Sequence, residues 1–211
     1  MIQLYGRASS GNAYKVRLLL ALLGLPYRDI EVRLGAGGRN EVDASYLALN
    51  PRGQVPTLVD GDVVLWGSTA ILTYLAGRYD QPETWLPRRD PVVLGRVMQW
   101  LELAQNEIST GLFRARAIAR FGYGGDLEAA RRDGETALRV LEGRLAAGEP
   151  WLAGREAPTV ADIACFPYVA LADEGGFDLS AYPAVLGWIE RIRRLPGFVA
   201  LPGEEVGRIP E

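Results

Sequence analysis

The sequence predicts an α/β domain over residues 1–79, a linker at 80–90 and an all-helical domain over 91–211. Three observations carry that division. Short apolar runs typical of strands alternate with helical periodicity only before Asp80. A stretch rich in proline and charge, QPETWLPRRDP, follows Asp80. Beyond it, apolar residues recur at helical spacing alone, and chains that separate their elements in this way build separate layers or domains.

Ile2 to Tyr5 is a short apolar strand, ended by Gly6 and the polar Ala8, Ser9 and Ser10. A helix runs from about Gly11 to Leu23, with Ala13, Val16, Leu19, Leu20 and Leu23 on one side and Lys15 and Arg17 off it; Gly24 and Pro26 stop it. Tyr27 to Val32 is a second strand, and a strand-helix-strand order calls for parallel pairing. After a GAGGR loop, Asp43 to Leu49 is a short helix.

Asn50 to Arg78 is the stretch around which the chain is organised. Pro51 and Gly53 mark a loop, and Pro56 removes a backbone donor and pushes Val55 towards an extended conformation. Thr57 to Val59 and Val63 to Leu65 flank Asp60, Gly61 and Asp62, a hairpin signal because glycine tolerates the positive φ of a tight turn. Ser68 is then placed to cap a helix carrying Ala70, Ile71, Tyr74 and Leu75. An extended residue before a proline, beside a hairpin and opposite a helix N-terminus, is a small device for holding a peptide: Val55 offers backbone groups, and helix amides take a carboxylate. An ordinary turn with an ordinary cap fits the same residues.

In the second domain a long helix begins near Pro91, holds Val97, Trp100, Leu101, Ala104, Ile108 and Leu112, and extends to Phe121 before Gly122, Gly124 and Gly125. A second spans Asp126 to about Ala147. The third starts at PTVADIACF, where Thr159 and Asp162 stand in a capping-box relation with aspartate replacing the usual Glu or Gln. A fourth runs from Ala184 to Arg194, and Pro196 precedes a last short piece.

Composition narrows the chemistry. The chain has 26 acids against 23 bases, a net charge of −3 with no basic run, so neither nucleic acid nor an anionic membrane surface is an expected partner. It contains no histidine, which excludes Ser-His and Cys-His nucleophile pairs and makes a metal site unexpected. Cys165 is the only cysteine and lies in an apolar run, where a packed thiol is the expectation. The start lacks the apolar stretch of a leader and no run of about eighteen apolar residues exists, so a cytoplasmic location is expected.

The segments SSGNAYKVR, NPRGQVPTLVDGD, GSTAILTYL and PTVADIA, in this order and spacing, resemble the cytosolic glutathione transferases across the whole chain. The resemblance implies a thioredoxin-like β-α-β-α-β-β-α domain followed by a C-terminal helical bundle, a cis bond at Val55-Pro56, and a homodimer. It implies glutathione as co-substrate with no further cofactor, and a small hydrophobic electrophile as second substrate. Ser10 matches the catalytic serine of theta- and zeta-like members, and Asn12 falls where beta-like members carry cysteine and certain bacterial nu-like members asparagine. Tyr5 lies too early, inside the strand, for the activating hydroxyl of tyrosine-type members.

For the tripeptide, the resemblance assigns Val55 and Pro56 to backbone pairing with the cysteinyl unit, Gln54 to the glycyl end, Gly11 to the sulfur's surroundings and Ser68 to the γ-glutamyl carboxylate. Gly67 departs from the acidic residue or glutamine usual before this serine, so Gln105 or Asn106 of a partner subunit is a candidate to fill in. Glu41 stands where a basic residue is usual, leaving Arg39 or Asn40 as substitutes. The electrophile pocket is assigned to Ser109, Leu112, Phe113 and Arg116, each equally at home in a helix core or surface. The function expected from the resemblance is conjugation, Ser10 donating to the glutathione thiolate and Asn12 supporting it; the alternatives are reduction of disulfides or peroxides with two glutathiones, and a binding module that kept the fold and lost the chemistry.

Overall fold

The computed structural model describes residues 1–33, 43–154 and 156–201. The chain divides into two units, Met1–Leu75 with the returning Pro196–Glu211, and Ala76–Leu195. The element order is β1 (Ile2–Gly6), α1 (Gly11–Leu22), β2 (Tyr27–Glu31), α2 (Ala44–Leu49), β3 (Thr57–Asp60), β4 (Val63–Trp66) and α3 (Ser68–Tyr79), then five further α-helices. These are α4 (Pro91–Gln105), α5 (Arg114–Phe121), α6 (Leu127–Ala146), α7 (Val160–Ala170) and α8 (Pro183–Arg193).

The first unit is built on a four-stranded sheet of order β2-β1-β3-β4. β1 pairs parallel with β2, Leu4 opposite Asp29, with α1 as the crossover that parallel pairing demands. β1 pairs antiparallel with β3, and β3 with β4 through the tight turn at Gly61, where φ is +60°. Alternation sends Ile2 and Leu4 into a core shared with Leu58, Val16, Leu19, Leu20, Ile71 and Leu72. The returning segment belongs to this unit: the Tyr14 hydroxyl donates to the Val199 carbonyl at 2.7 Å, and Leu201 is buried.

Lys15 and Arg17, read as lying off the apolar side of α1, are both buried. Gly11 and every residue from Ala13 to Leu20 are enclosed, so this helix has no solvent face there on which a cation can rest. Arg17 tolerates it through a two-point pairing with Asp29, Nε to Oδ2 at 2.6 Å and Nη2 to Oδ1 at 3.1 Å.

The second unit is helical throughout. The long helix expected from Pro91 to Phe121 is interrupted: α4 ends at Gln105, the backbone turns at Asn106 (φ −98°, ψ −99°), and a wide π-helix spans Ile108–Phe113 before α5. On this wide turn Gly111 meets Gly134 of α6 so closely that a Cβ there would lie 2.2 Å from the Gly134 nitrogen. Residues 80–90 are tied into the same unit, Asp80 Oδ2 accepting from the Trp85 amide at 2.6 Å and the Trp85 carbonyl from the Val160 amide at 2.9 Å.

α7 starts as the capping box predicts. Asp162 is fully buried and accepts from the amides of Thr159 (2.9 Å) and Leu152 (3.1 Å) and from Trp188 Nε1 (2.9 Å). Burial holds its carboxyl above the usual carboxylate range, and these donors offset that only in part.

Ahead of α8, the Tyr182 hydroxyl donates to Glu135. Burial, and then that carboxylate, push the Tyr182 hydroxyl up to about 12 from the usual 10.0. The fold therefore holds the phenol proton more tightly than the unfolded chain does. Its contribution is intact below a pH of about 10 and lost as pH rises to about 12. Thermal melts through that window are expected to fall more steeply for the native chain than for Tyr182→Phe; parallel curves would contradict the assignment.

Candidate active site

The sheet register assembles the site. Tyr5 lies opposite Thr57, and Thr57 opposite Trp66, so the loop after Gly6, the residues before Thr57 and the loop after Trp66 open at one end of the sheet. α1 and α3 begin there, each offering unpaired N–H groups and the positive end of a helix dipole.

Ser10 is the N-cap of α1, extended at φ −86° and ψ 111°, its Oγ accepting from the Ala13 amide at 3.2 Å. Its backbone N–H donates to the Arg7 carbonyl at 3.1 Å. Capping uses only a lone pair of the hydroxyl, so the half-exposed Ser10 keeps its O–H proton to donate. Cap and functional donor are compatible here.

Asn12, in the first turn of α1, accepts at Oδ1 from the Ser68 hydroxyl at 3.3 Å, joining the two helix N-termini. Ser68 is not the cap expected of it. The Ile71 amide bonds to the Gly67 carbonyl, so Gly67 holds the cap position and Ser68 is the first helical residue. Gly67 has φ +89°, a backbone that glycine adopts freely and other residues at a cost. That gives the glycine a local reason independent of any ligand.

The Val55-Pro56 bond is cis. Val55 is half-buried and stands ahead of Thr57, the first residue of the ladder, leaving its backbone outside the sheet pairing. A buried network that sequence reasoning missed shapes this loop. Tyr46 Oη donates to the Gln54 carbonyl at 2.7 Å and lies 2.8 Å from Thr57 Oγ1, while Asn50 Nδ2 reaches the same two atoms at 2.6 and 3.0 Å. Burial raises the Tyr46 hydroxyl, with the Thr57 and Asn50 contacts opposing, so it stays a proton donor. Asn50 before Pro51 was the available signal, since an Asn side chain readily bonds the backbone two residues on; here Oδ1 accepts from the Arg52 amide.

Ser10, Gly11, Asn12, Gln54, Val55, Pro56, Gly67 and Ser68 are thus on the loops and helix starts of one sheet end. Arg39, with its neighbours Asn40 and Glu41, lies outside the described residues. Tyr5 is in β1, its hydroxyl donating to Gln3 Oε1 at 3.2 Å. In the second unit, Gln105 is exposed at the end of α4. Of the four residues assigned to the electrophile, Ser109 and Phe113 are half-exposed, the Phe113 ring 5.1 Å from that of Tyr168. Leu112 and Arg116 are committed to internal packing, Leu112 buried beside Gly134 and Arg116 paired with Glu174 at 2.6 Å. Among the described residues no group of His, Cys, Asp or Glu is placed to hold a metal ion, and no helix is long and apolar enough to cross a membrane.

Residues 4–83 match the family described as glutathione S-transferase, N-terminal domain, and residues 113–191 its C-terminal domain. The chain is 31% identical to glutathione S-transferase GstB of Escherichia coli K12 over 93% of its own length and 95% of that protein's. It is 34% identical to the disulfide-bond oxidoreductase YfcG of the same strain, over 93% of this chain and 92% of the relative. A crystal structure of a glutathione S-transferase from Xanthobacter autotrophicus Py2 superposes with a TM-score of 0.84 at 36% identity, covering 96% of this chain and 97% of the other. Site geometry, both domain matches and full-length similarity agree: this chain belongs to the glutathione S-transferase family.

Proposed function

We propose that the protein holds glutathione as a thiolate at the start of α1, from which the sulfur attacks a small hydrophobic electrophile, forming a thioether as the electrophile's leaving group departs. The observation that supports this is Ser10, a hydroxyl that caps α1 through its oxygen and keeps its proton, at the sheet end that also carries Val55 and the Asn12–Ser68 link between the two helix starts. An ordinary thiol, with pKa about 8.5, is only about 3% ionised at pH 7. Lowering the pKa to about 6.5 ionises roughly three quarters of it, at about 2.7 kcal/mol of differential stabilisation. With no histidine in the chain, the Ser10 hydroxyl, the first amides of α1 and its dipole are the means. Asn12 orients Ser68, whose helix start receives the γ-glutamyl carboxylate, and Val55 pairs with the cysteinyl backbone. Ser109 and Phe113 are the candidates for contact with the electrophile. A homodimer, with Gln105 or Asn106 of one copy serving the other's γ-glutamyl group, completes the reading.

Reduction of glutathione mixed disulfides is the second reading, favoured by Asn12 and by the similarity to YfcG. Steady-state turnover of a model aryl halide against a small glutathione mixed disulfide separates them. Conjugation of the aryl halide is expected; turnover of the disulfide alone selects the second reading. Millimolar glutathione is also expected to raise the unfolding temperature by mass action, and no shift would leave a binding module without this ligand.

A further inference from the structure

The carbonyl of Arg7 is shared. It accepts from the Ser10 amide at 3.1 Å, closing the turn that carries the serine, and from Arg17 Nη1 at 3.0 Å. Arg17 is in turn fixed by Asp29 on β2, through Nε at 2.6 Å and Nη2 at 3.1 Å, so three guanidinium nitrogens are engaged. The Arg17 side chain is 10% exposed and that of Asp29 41%. Gly6 leaves the room: a Cβ there would lie 2.9 Å from Arg17 Nη2 and 3.0 Å from the Ala13 Cβ. Ala8 and Ser9, between the two anchored ends of the turn, are exposed.

We infer that Arg17 is a positioning residue for Ser10, its guanidinium plane set by Asp29 and its third nitrogen holding the Arg7 carbonyl from which the serine's turn hangs. The inference rests on the reading of Ser10 as donor to the glutathione sulfur. Arginine is required rather than any cation, because a planar fork meets both carboxylate oxygens and still points a further N–H in a fixed direction, whereas an ammonium is a point charge on a flexible stem. A donor displaced by about 1 Å loses up to about a hundredfold in rate while the bound tripeptide's other contacts stay in place. The expected signature is therefore a loss in kcat with the KM for glutathione little changed.

The test uses the full chain and whichever substrate supports turnover. Arg17→Lys and Asp29→Asn are each expected to lower kcat about tenfold, to leave the KM for glutathione within about twofold, and to weaken the thiolate absorbance of bound glutathione at neutral pH. Placed in a Ser10→Ala background, Arg17→Lys is expected to add no further loss, since both changes remove one interaction. Unchanged kcat and thiolate absorbance in the folded variants, a loss confined to KM, or a multiplied loss in the Ser10→Ala background each overturn the inference. Should Arg17→Lys fail to fold, Asp29→Asn on the more exposed side supplies the same comparisons. Full activity of Ser10→Ala alone instead removes the reading of Ser10, and the inference with it, so the two failures are told apart by which variant is silent.

Discussion

Replacing Ser10 by alanine is expected to lower kcat about a hundredfold, the scale on which losing one preorganised donor to a developing or resident anion is felt. The same change removes the cap accepted from the Ala13 amide, which costs about 1 kcal/mol of stability. The two consequences separate through a second variant. Ser10→Asp keeps an oxygen to cap α1 but brings no proton to donate, and adds a negative charge beside the sulfur. It is expected to retain the native unfolding temperature and to lose activity at least as far as alanine does. Urea unfolding and steady-state kinetics on both variants decide the matter. Turnover of Ser10→Ala equal to that of the native chain, with glutathione still binding, would move the activating group elsewhere.

Asp162→Ala is expected to be the most damaging single change for stability, at about 4 kcal/mol. Its carboxylate is the common acceptor for the Thr159 amide, the Leu152 amide and the indole N–H of the fully buried Trp188. Alanine leaves all three donors in the core with nothing to accept them, and each unsatisfied group costs about 1–3 kcal/mol. The exposed cap at Asp126, which serves one amide of α6 at the surface, provides the contrast: its alanine variant should cost only about 1 kcal/mol. Denaturant midpoints for the pair, at unchanged m-value, measure the difference. Equal losses at the two positions would mean that Asp162 is an ordinary cap.

Local rules made much of this legible. The Asp60-Gly61-Asp62 turn, the Thr159–Asp162 box and the strand-helix-strand opening each declare themselves within a few residues, and each stands as read. What escaped depends on partners distant in sequence. Arg17 was read only as lying off the apolar side of α1, because helical periodicity does not reveal a carboxylate on β2 that lets it be buried. No proline or glycine stands at the turn at Asn106, and the one glycine of the wide helix after it, Gly111, lies past the break. Turn and wide helix were invisible because apolar spacing continues across them, through Ala104, Ile108 and Leu112. Ser68 was misplaced by one position since serine is the better cap by preference, while the backbone at Gly67 has the left-handed conformation. At the site, the residues proposed to meet a ligand were named from the resemblance, whereas Tyr46, Asn50, Thr57 and Arg17, which hold the backbone beneath them, were not.

The bond from Tyr14 to the Val199 carbonyl makes the first unit discontinuous in sequence. The sheet and its first helix are synthesised before the strap that tethers that helix, whose contact lies 185 residues further along the chain. An excised fragment ending at Tyr79 would carry every residue proposed to hold the sulfur and still lack the tether on α1.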